Sequence, residues 1–175
     1  SHRLLVDDVC DIKALAEEYK WAEIETIYKD GVHSDKGSSM RTLQGFASAE
    51  GKMHPYDDYY NQTGSIDAFI MAAINGDGIF TNASNSVREQ AIEKGIQNVL
   101  MTAYVIHELN TAIDKETKGT ANAVHNWDEG WAFFHGASPG CGPYATGGKR
   151  AGNFGTDNPS LAILEEMKAG RDVLN

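Results

Sequence analysis

The chain has 175 residues, with 15 Lys+Arg against 25 Asp+Glu, a formal net charge of −10 and 41% hydrophobic residues. A chain of this length can bury about 70% of its extended surface in one core, so neither a metal nor a disulfide is needed merely to fold. The acidic balance disfavours nucleic acid and anionic membranes as partners, since both are bound by Lys/Arg-rich surfaces.

The first residues, Ser1-His2-Arg3, carry no signal-peptide h-region and no initiating Met, as expected of a processed or recombinant fragment. Residues 7–35 hold nine acids and three bases over a helical pattern that two helices fit best. In the second, Trp21, Ile24 and Tyr28 recur at helical spacing, Glu25 borders that stripe, and Asp30-Gly31 supplies a stop. From Val32 to Ser65 the chain turns polar and Gly-rich, which predicts a long loop. Ser65 is the expected N-cap of a buried helix through Ile74, with Asp67 in its first turn. Its run Ala68–Ile74 is the longest apolar one and falls well short of the ~18 residues that span a bilayer, so membrane insertion is not expected.

A central helix is predicted from about Ser86 to Lys118, with Ile92, Ile96, Val99, Ala103, Ile106 and Ile113 on its inward face. Residues 120–135 form another, and Gly136 follows its end. The next twenty residues, 136–155, contain seven glycines and predict a second long loop. A last amphipathic helix starts at Pro159, with Leu161, Leu164 and Met167 inward. The fold class is therefore all-α: a single domain over 1–175, a bundle of five to six helices with two long Gly-rich loops.

Two features bear on the compartment. Asn61-Gln62-Thr63 and Asn82-Ala83-Ser84 are glycosylation acceptor triplets in polar, turn-rich stretches, which fits a glycoprotein. Cys10 and Cys141 are compatible with one disulfide closing a large loop, and equally with two buried thiols.

The chemistry concentrates on the central helix and the one after it. His107-Glu108 lie among apolar neighbours, and Val124-His125-Asn126-Trp127-Asp128-Glu129 places His125 and Glu129 as an i, i+4 pair. An acid beside Trp127, Trp131, Phe133 and Phe134 is costly unless paired, protonated or bound to a cation. Facing helices of bundles hold transition metals with such residues, and His107, Glu108, His125, Asp128 and Glu129 suffice for one site, with His135 in reserve. Oxygen-rich ligation with some nitrogen suits iron or manganese better than copper(I) or structural zinc. The other reading of the same residues is a hydrogen-bonded structural cluster.

Familiar motifs fail here. His107-Glu108-Leu109-Asn110-Thr111 has Thr where a zinc-protease helix needs its second His, and Gly148 stands where a phosphate loop needs Lys. Lys149-Arg150 in the Gly-rich stretch is read as a solvated pair. The Glu-x-x-His signature of di-iron bundles is missing, since Thr111 and Ala132 follow the acids at 108 and 129.

The segment Trp127-Asp128-Glu129-Gly130-Trp131-Ala132-Phe133-Phe134-His135-Gly136, then Pro143-Tyr144-Ala145-Thr146 and Lys149-Arg150-Ala151-Gly152-Asn153-Phe154-Gly155, resembles the algal secreted iron-assimilation family of low-iron- or high-CO2-inducible periplasmic proteins. The likeness covers mainly residues 100–160. It implies an extracellular protein that binds iron for a cell-surface uptake system, with the chain one domain of a longer protein. It fixes no ligand set, and His107-Glu108 rest on the residues alone. A binding protein is thus expected rather than an enzyme; the alternatives are a metal-dependent oxidase or hydrolase on the same scaffold, or a non-catalytic interaction module.

Overall fold

A computed structural model of the chain describes residues 2–52 and 55–174. Helix α1, Leu5–Glu17, buries Leu5, Val6, Val9, Ile12 and Ala16 at three- and four-residue intervals, so one stripe meets the core. Helix α2, Trp21–Asp30, buries Ile24 and Tyr28 and stops at Gly31, whose φ of 67° an L side chain rarely adopts. The short helix α3, Leu43–Ala47, starts where Thr42 accepts a hydrogen bond from the Gly45 amide. Helix α4 is Pro55–Tyr60, and its Asp57 caps α5, Ser65–Asn75, by accepting from the amides of Gly64 and Ser65 at 3.0 and 2.8 Å. Helix α6, Asn85–Lys94, capped by Ser84, runs through a π-helical segment, Gly95–Leu100, into α7, Met101–Thr117. Then follow α8, Ala123–Phe134, α9, Pro143–Phe154, and α10, Pro159–Leu174.

The described residues contain no strand, only an isolated bridge between Asp35 and Met40. The all-α expectation holds, while the helices are more numerous and shorter than five or six. Residues 32–65, expected as loop, hold α3 and α4. Residues 136–155 hold α9, with Pro143 at its first turn, where a missing N–H costs nothing. Its glycines serve close packing: a Cβ on Gly147 would sit 2.1 Å from Ser160 Oγ, the hydroxyl that donates to Tyr144 O and joins α10 to α9.

Helices α7 and α8 pack side by side, and Gly130 makes this possible, since a Cβ there would stand 2.9 Å from Leu109. Beside this pair Phe46, Tyr104 and Phe133 form an aromatic cluster with ring centroids 4.8–5.1 Å apart. Cys10 and Cys141 form a disulfide with Cα atoms 5.3 Å apart, joining α1 to the segment ahead of α9. No described helix is long and apolar enough to cross a membrane.

Candidate functional site

The five residues expected as ligands lie on α7 and α8, in two separate places. Glu108 is buried within the α7–α8 pair. Its Oε2 accepts from Asn126 Nδ2 at 2.6 Å, and Asn126 Oδ1 accepts from Lys115 Nζ at 2.5 Å. His107 Nε2 stands 3.8 Å from Glu108 Oε1. Burial first, then the Glu108 carboxylate, pushes the Tyr104 phenol above its ordinary value, so it keeps its proton and donates to Phe46 O at 3.0 Å.

His125, Asp128 and Glu129 line a surface pocket of about 380 Å³ that His107 and Glu108 do not reach. His2, Arg3, Arg41 and Trp131 complete most of its wall. Glu129 Oε1 is the centre: His2 Nδ1 lies 2.9 Å from it and His125 Nε2 3.1 Å. Arg41 Nε donates to the other nitrogen of His2, Nε2, at 3.0 Å. A neutral imidazole has one N–H, so with Nε2 accepting, the His2 proton sits on Nδ1 and points at Glu129. The His2 ring is held by packing on Phe46 and Phe133, at 5.7 and 5.6 Å between centroids. Burial alone would raise the Glu129 carboxyl, but the hydrogen bond from His2 and the attraction of the basic groups around it, Arg41 among them, outweigh it and hold the group below the usual carboxylate range.

Asp128 is exposed at the pocket's edge, so its neighbouring tryptophans impose no desolvation that needs a cation. His135 stacks on Trp131 at 4.8 Å and faces Tyr144, outside the pocket. Glu25 pairs with Lys29 at the surface, and Asp67 accepts from Tyr28 OH at 2.9 Å, tying α2 to α5. Lys149 and Arg150 lie exposed on α9 rather than in a loop.

The i, i+4 pairing of His125 with Glu129 was legible from helix geometry. His2 and Arg41 carried no such signal, because they precede α1 and α3 and reach α8 only through the tertiary fold. Among the described residues no group of three or more His, Cys, Asp or Glu side chains is set to hold a metal ion. As it stands, the pocket is a polar chain in which Arg41 donates to His2 and His2 to Glu129, with His125 a further close contact of the same carboxylate oxygen.

No curated protein and no solved structure matches the chain. The family model described as low iron-inducible periplasmic protein matches residues 1–156, most of the chain, so the protein belongs to that family and is periplasmic with it.

Proposed function

We propose that the protein captures iron outside the plasma membrane for a cell-surface uptake system, with Glu129 as the central ligand and His2, His125 and Asp128 around it. The observation behind this reading is a single carboxylate oxygen flanked by two imidazole nitrogens at an open pocket. In a six-coordinate site with bonds of ~2.1 Å, neighbouring donors lie ~3.0 Å apart, so the 2.9 and 3.1 Å spacings suit an ion entering between them. Each imidazole then presents a lone pair on the nitrogen nearest Glu129, and the two contacts to the carboxylate are exchanged for metal bonds. One carboxylate with neutral imidazoles is a donor set that suits iron. Glu108 and His107 are left out of the set, since Asn126 and Lys115 already satisfy the buried acid.

Titration of metal-free, tag-free protein with ferrous iron under anaerobic conditions tests this. Stoichiometric binding is expected, with Glu129→Ala weakening it by about 100-fold, the cost of removing a central group. Glu108→Ala should keep the stoichiometry while losing about 1–3 kcal/mol of stability, because it strands Asn126 and Lys115. Unchanged affinity in Glu129→Ala rejects the site.

A further inference from the structure

We propose that Asn61 carries an N-linked glycan whose first sugars lie over Tyr59 and Tyr60, a modification independent of the capture reading above. The first argument is the form of the acceptor. Asn61 follows the last residue of α4 at a φ of 47°, a left-handed turn position that Asn tolerates better than most side chains. Backbone hydrogen bonds fix that turn, with Asn61 N donating to Asp58 O at 3.3 Å and Gln62 N to Asp57 O at 3.0 Å. Asn61, Gln62 and Thr63 are all exposed, and among the described residues neither the Asn61 carboxamide nor the Thr63 hydroxyl is engaged in a hydrogen bond. In the other triplet the hydroxyl is engaged: Ser84 Oγ accepts from Val87 N at 3.4 Å as the cap of α6 and pairs with Ser86 Oγ at 3.1 Å. A glycosyl transferase needs that hydroxyl beside the acceptor carboxamide, so the free Thr63 makes Asn61 the better substrate of the two. The protein is periplasmic with its family, so export brings it to the transfer step. There Asn61 Nδ2 attacks the anomeric carbon of a lipid-pyrophosphate-linked oligosaccharide. The C–N bond forms, the C–O bond to pyrophosphate breaks, the lipid pyrophosphate leaves, and one carboxamide proton passes to a base of the transferase.

The second argument is what surrounds the acceptor. Tyr59 and Tyr60, the two residues before Asn61, are 81% and 63% exposed, with their rings edge to face at 4.9 Å between centroids. Beside them lies a hollow of about 540 Å³ whose wall includes Tyr56, Tyr60, Gln62, Phe69 and Ile79. Ile79 is itself 78% exposed, so the tyrosines and the hollow form one open apolar surface. A contiguous surface of this kind marks a place that something covers. Asn61 stands between two of the wall residues, Tyr60 and Gln62, so a glycan on it is tethered at the rim. The C–H faces of pyranose rings pack on aromatic faces while their hydroxyls stay in water, which makes the first sugars a cover matched to tyrosine.

The test is glycopeptide mass spectrometry of the protein recovered from cells that naturally export it. The peptide bearing Asn61 should carry N-acetylhexosamine, lost in Thr63→Ala and kept in Thr63→Ser; both variants leave the left-handed Asn61 in place. Without its glycan, the Thr63→Ala protein should bind more of an apolar fluorescent dye and melt about 2–4 °C lower than the glycosylated wild type. The same two proteins made in a host that does not glycosylate should not differ, which separates the sugar from the substitution. In a Tyr59→Ala, Tyr60→Ala background, adding Thr63→Ala should change neither dye binding nor melting temperature, because the glycan has lost what it packs on. A bare Asn61, or sugar on Asn82 alone, overturns the proposal. A glycan on Asn61 whose loss alters neither reading, or alters both equally with and without the tyrosines, overturns the packing over Tyr59 and Tyr60.

Discussion

Two aspartates one turn apart on α1 show how differently identical side chains behave when only one is buried. Asp8 is fully buried and its Oδ1 accepts from the amides of Val32 and His33 at 3.1 and 3.0 Å, which fixes the segment after α2 against α1. Burial raises its carboxyl by more than those bonds lower it. Asp11 stays at the surface and pairs with His33 Nε2 at 2.8 Å. That hydrogen bond raises the His33 pKa against the opposing desolvation, and Coulomb attraction to Asp11, Asp8 and Asp7 adds to the rise. A histidine with a raised folded pKa contributes stability that is fully present below its ordinary value of 6.5 and is lost as pH rises through the folded value. The pair is solvent-accessible, so the effect on stability is small and shrinks with salt. NMR titration should show His33 titrating above 6.5, with Asp11→Asn bringing it back toward that figure; a His33 shift unchanged by the substitution would discount the pair. The local acidity of residues 7–35 was visible in composition, but which acid turns inward depended on amides of a segment that has no periodicity.

At the scale of elements, the long periodic run was legible and its inner face was only half so. Ile92, Ile96 and Ala103 are buried as their spacing predicts, whereas Ile106 and Ile113 are about half exposed. The π-helical segment Gly95–Leu100 contains Ile96 and precedes Ala103, Ile106 and Ile113. A π turn closes i to i+5 and holds about one residue more than an α turn, so the face downstream is rotated by about one position. Beyond it Met101, Tyr104, Val105, Glu108 and Ala112 point inward instead, which is why a glutamate occupies the core while two isoleucines meet solvent. Gly95 sits where α5 approaches closely, with Ile70 Cγ1 3.1 Å from the place of a Cβ. The Gly-rich stretch was misread for a related reason: glycine signals a loop in a sequence, and here it signals contact between helices. The same logic gives α10 its seat. Gly170 lies under the ring of Trp127, with a Cβ site 2.0 Å from Cζ2, and Trp127 Nε1 donates to Met167 O at 2.7 Å. Gly170→Ala must push that ring away and break its hydrogen bond, since indole is rigid. The expected loss is about 1–3 kcal/mol, as for an overpacked site, with a red-shifted tryptophan emission. A variant with wild-type stability and emission would mean that α10 is not anchored through Trp127.

For the whole molecule, the charge of −10 is spread over exposed helices and the pocket is a local exception, with two arginines and two histidines around Glu129. Long-range attraction of cations therefore has a different source from the local charge of the pocket. What sets the pocket's shape is the attachment of the N-terminal end to α8, because His2 must sit against Phe133 and Glu129. Two contacts hold it: Ala137 N donates to Arg3 O at 2.8 Å, and the Cys10–Cys141 bridge ties α1 to the segment that follows. The bridge spans a sequence separation of 131 residues. In the chain-entropy account, a loop that long restricts the unfolded ensemble by ~4–5 kcal/mol, while removing native disulfides typically costs ~2–5 kcal/mol. Either figure is a large part of the ~5–15 kcal/mol that separates a folded domain from its unfolded chain. An oxidising periplasm preserves the bond, so the protein can rely on it there. The Cys10→Ser, Cys141→Ser double variant should lose ~2–5 kcal/mol in urea unfolding, with a steeper denaturant slope because its unfolded chain expands further. Iron affinity should fall as well, since His2 then loses one of its two tethers to α8. A variant with lowered stability and full iron affinity would show that Ala137 and the aromatic cluster hold His2 unaided; one with an unchanged midpoint would show that the bridge does not stabilise the fold.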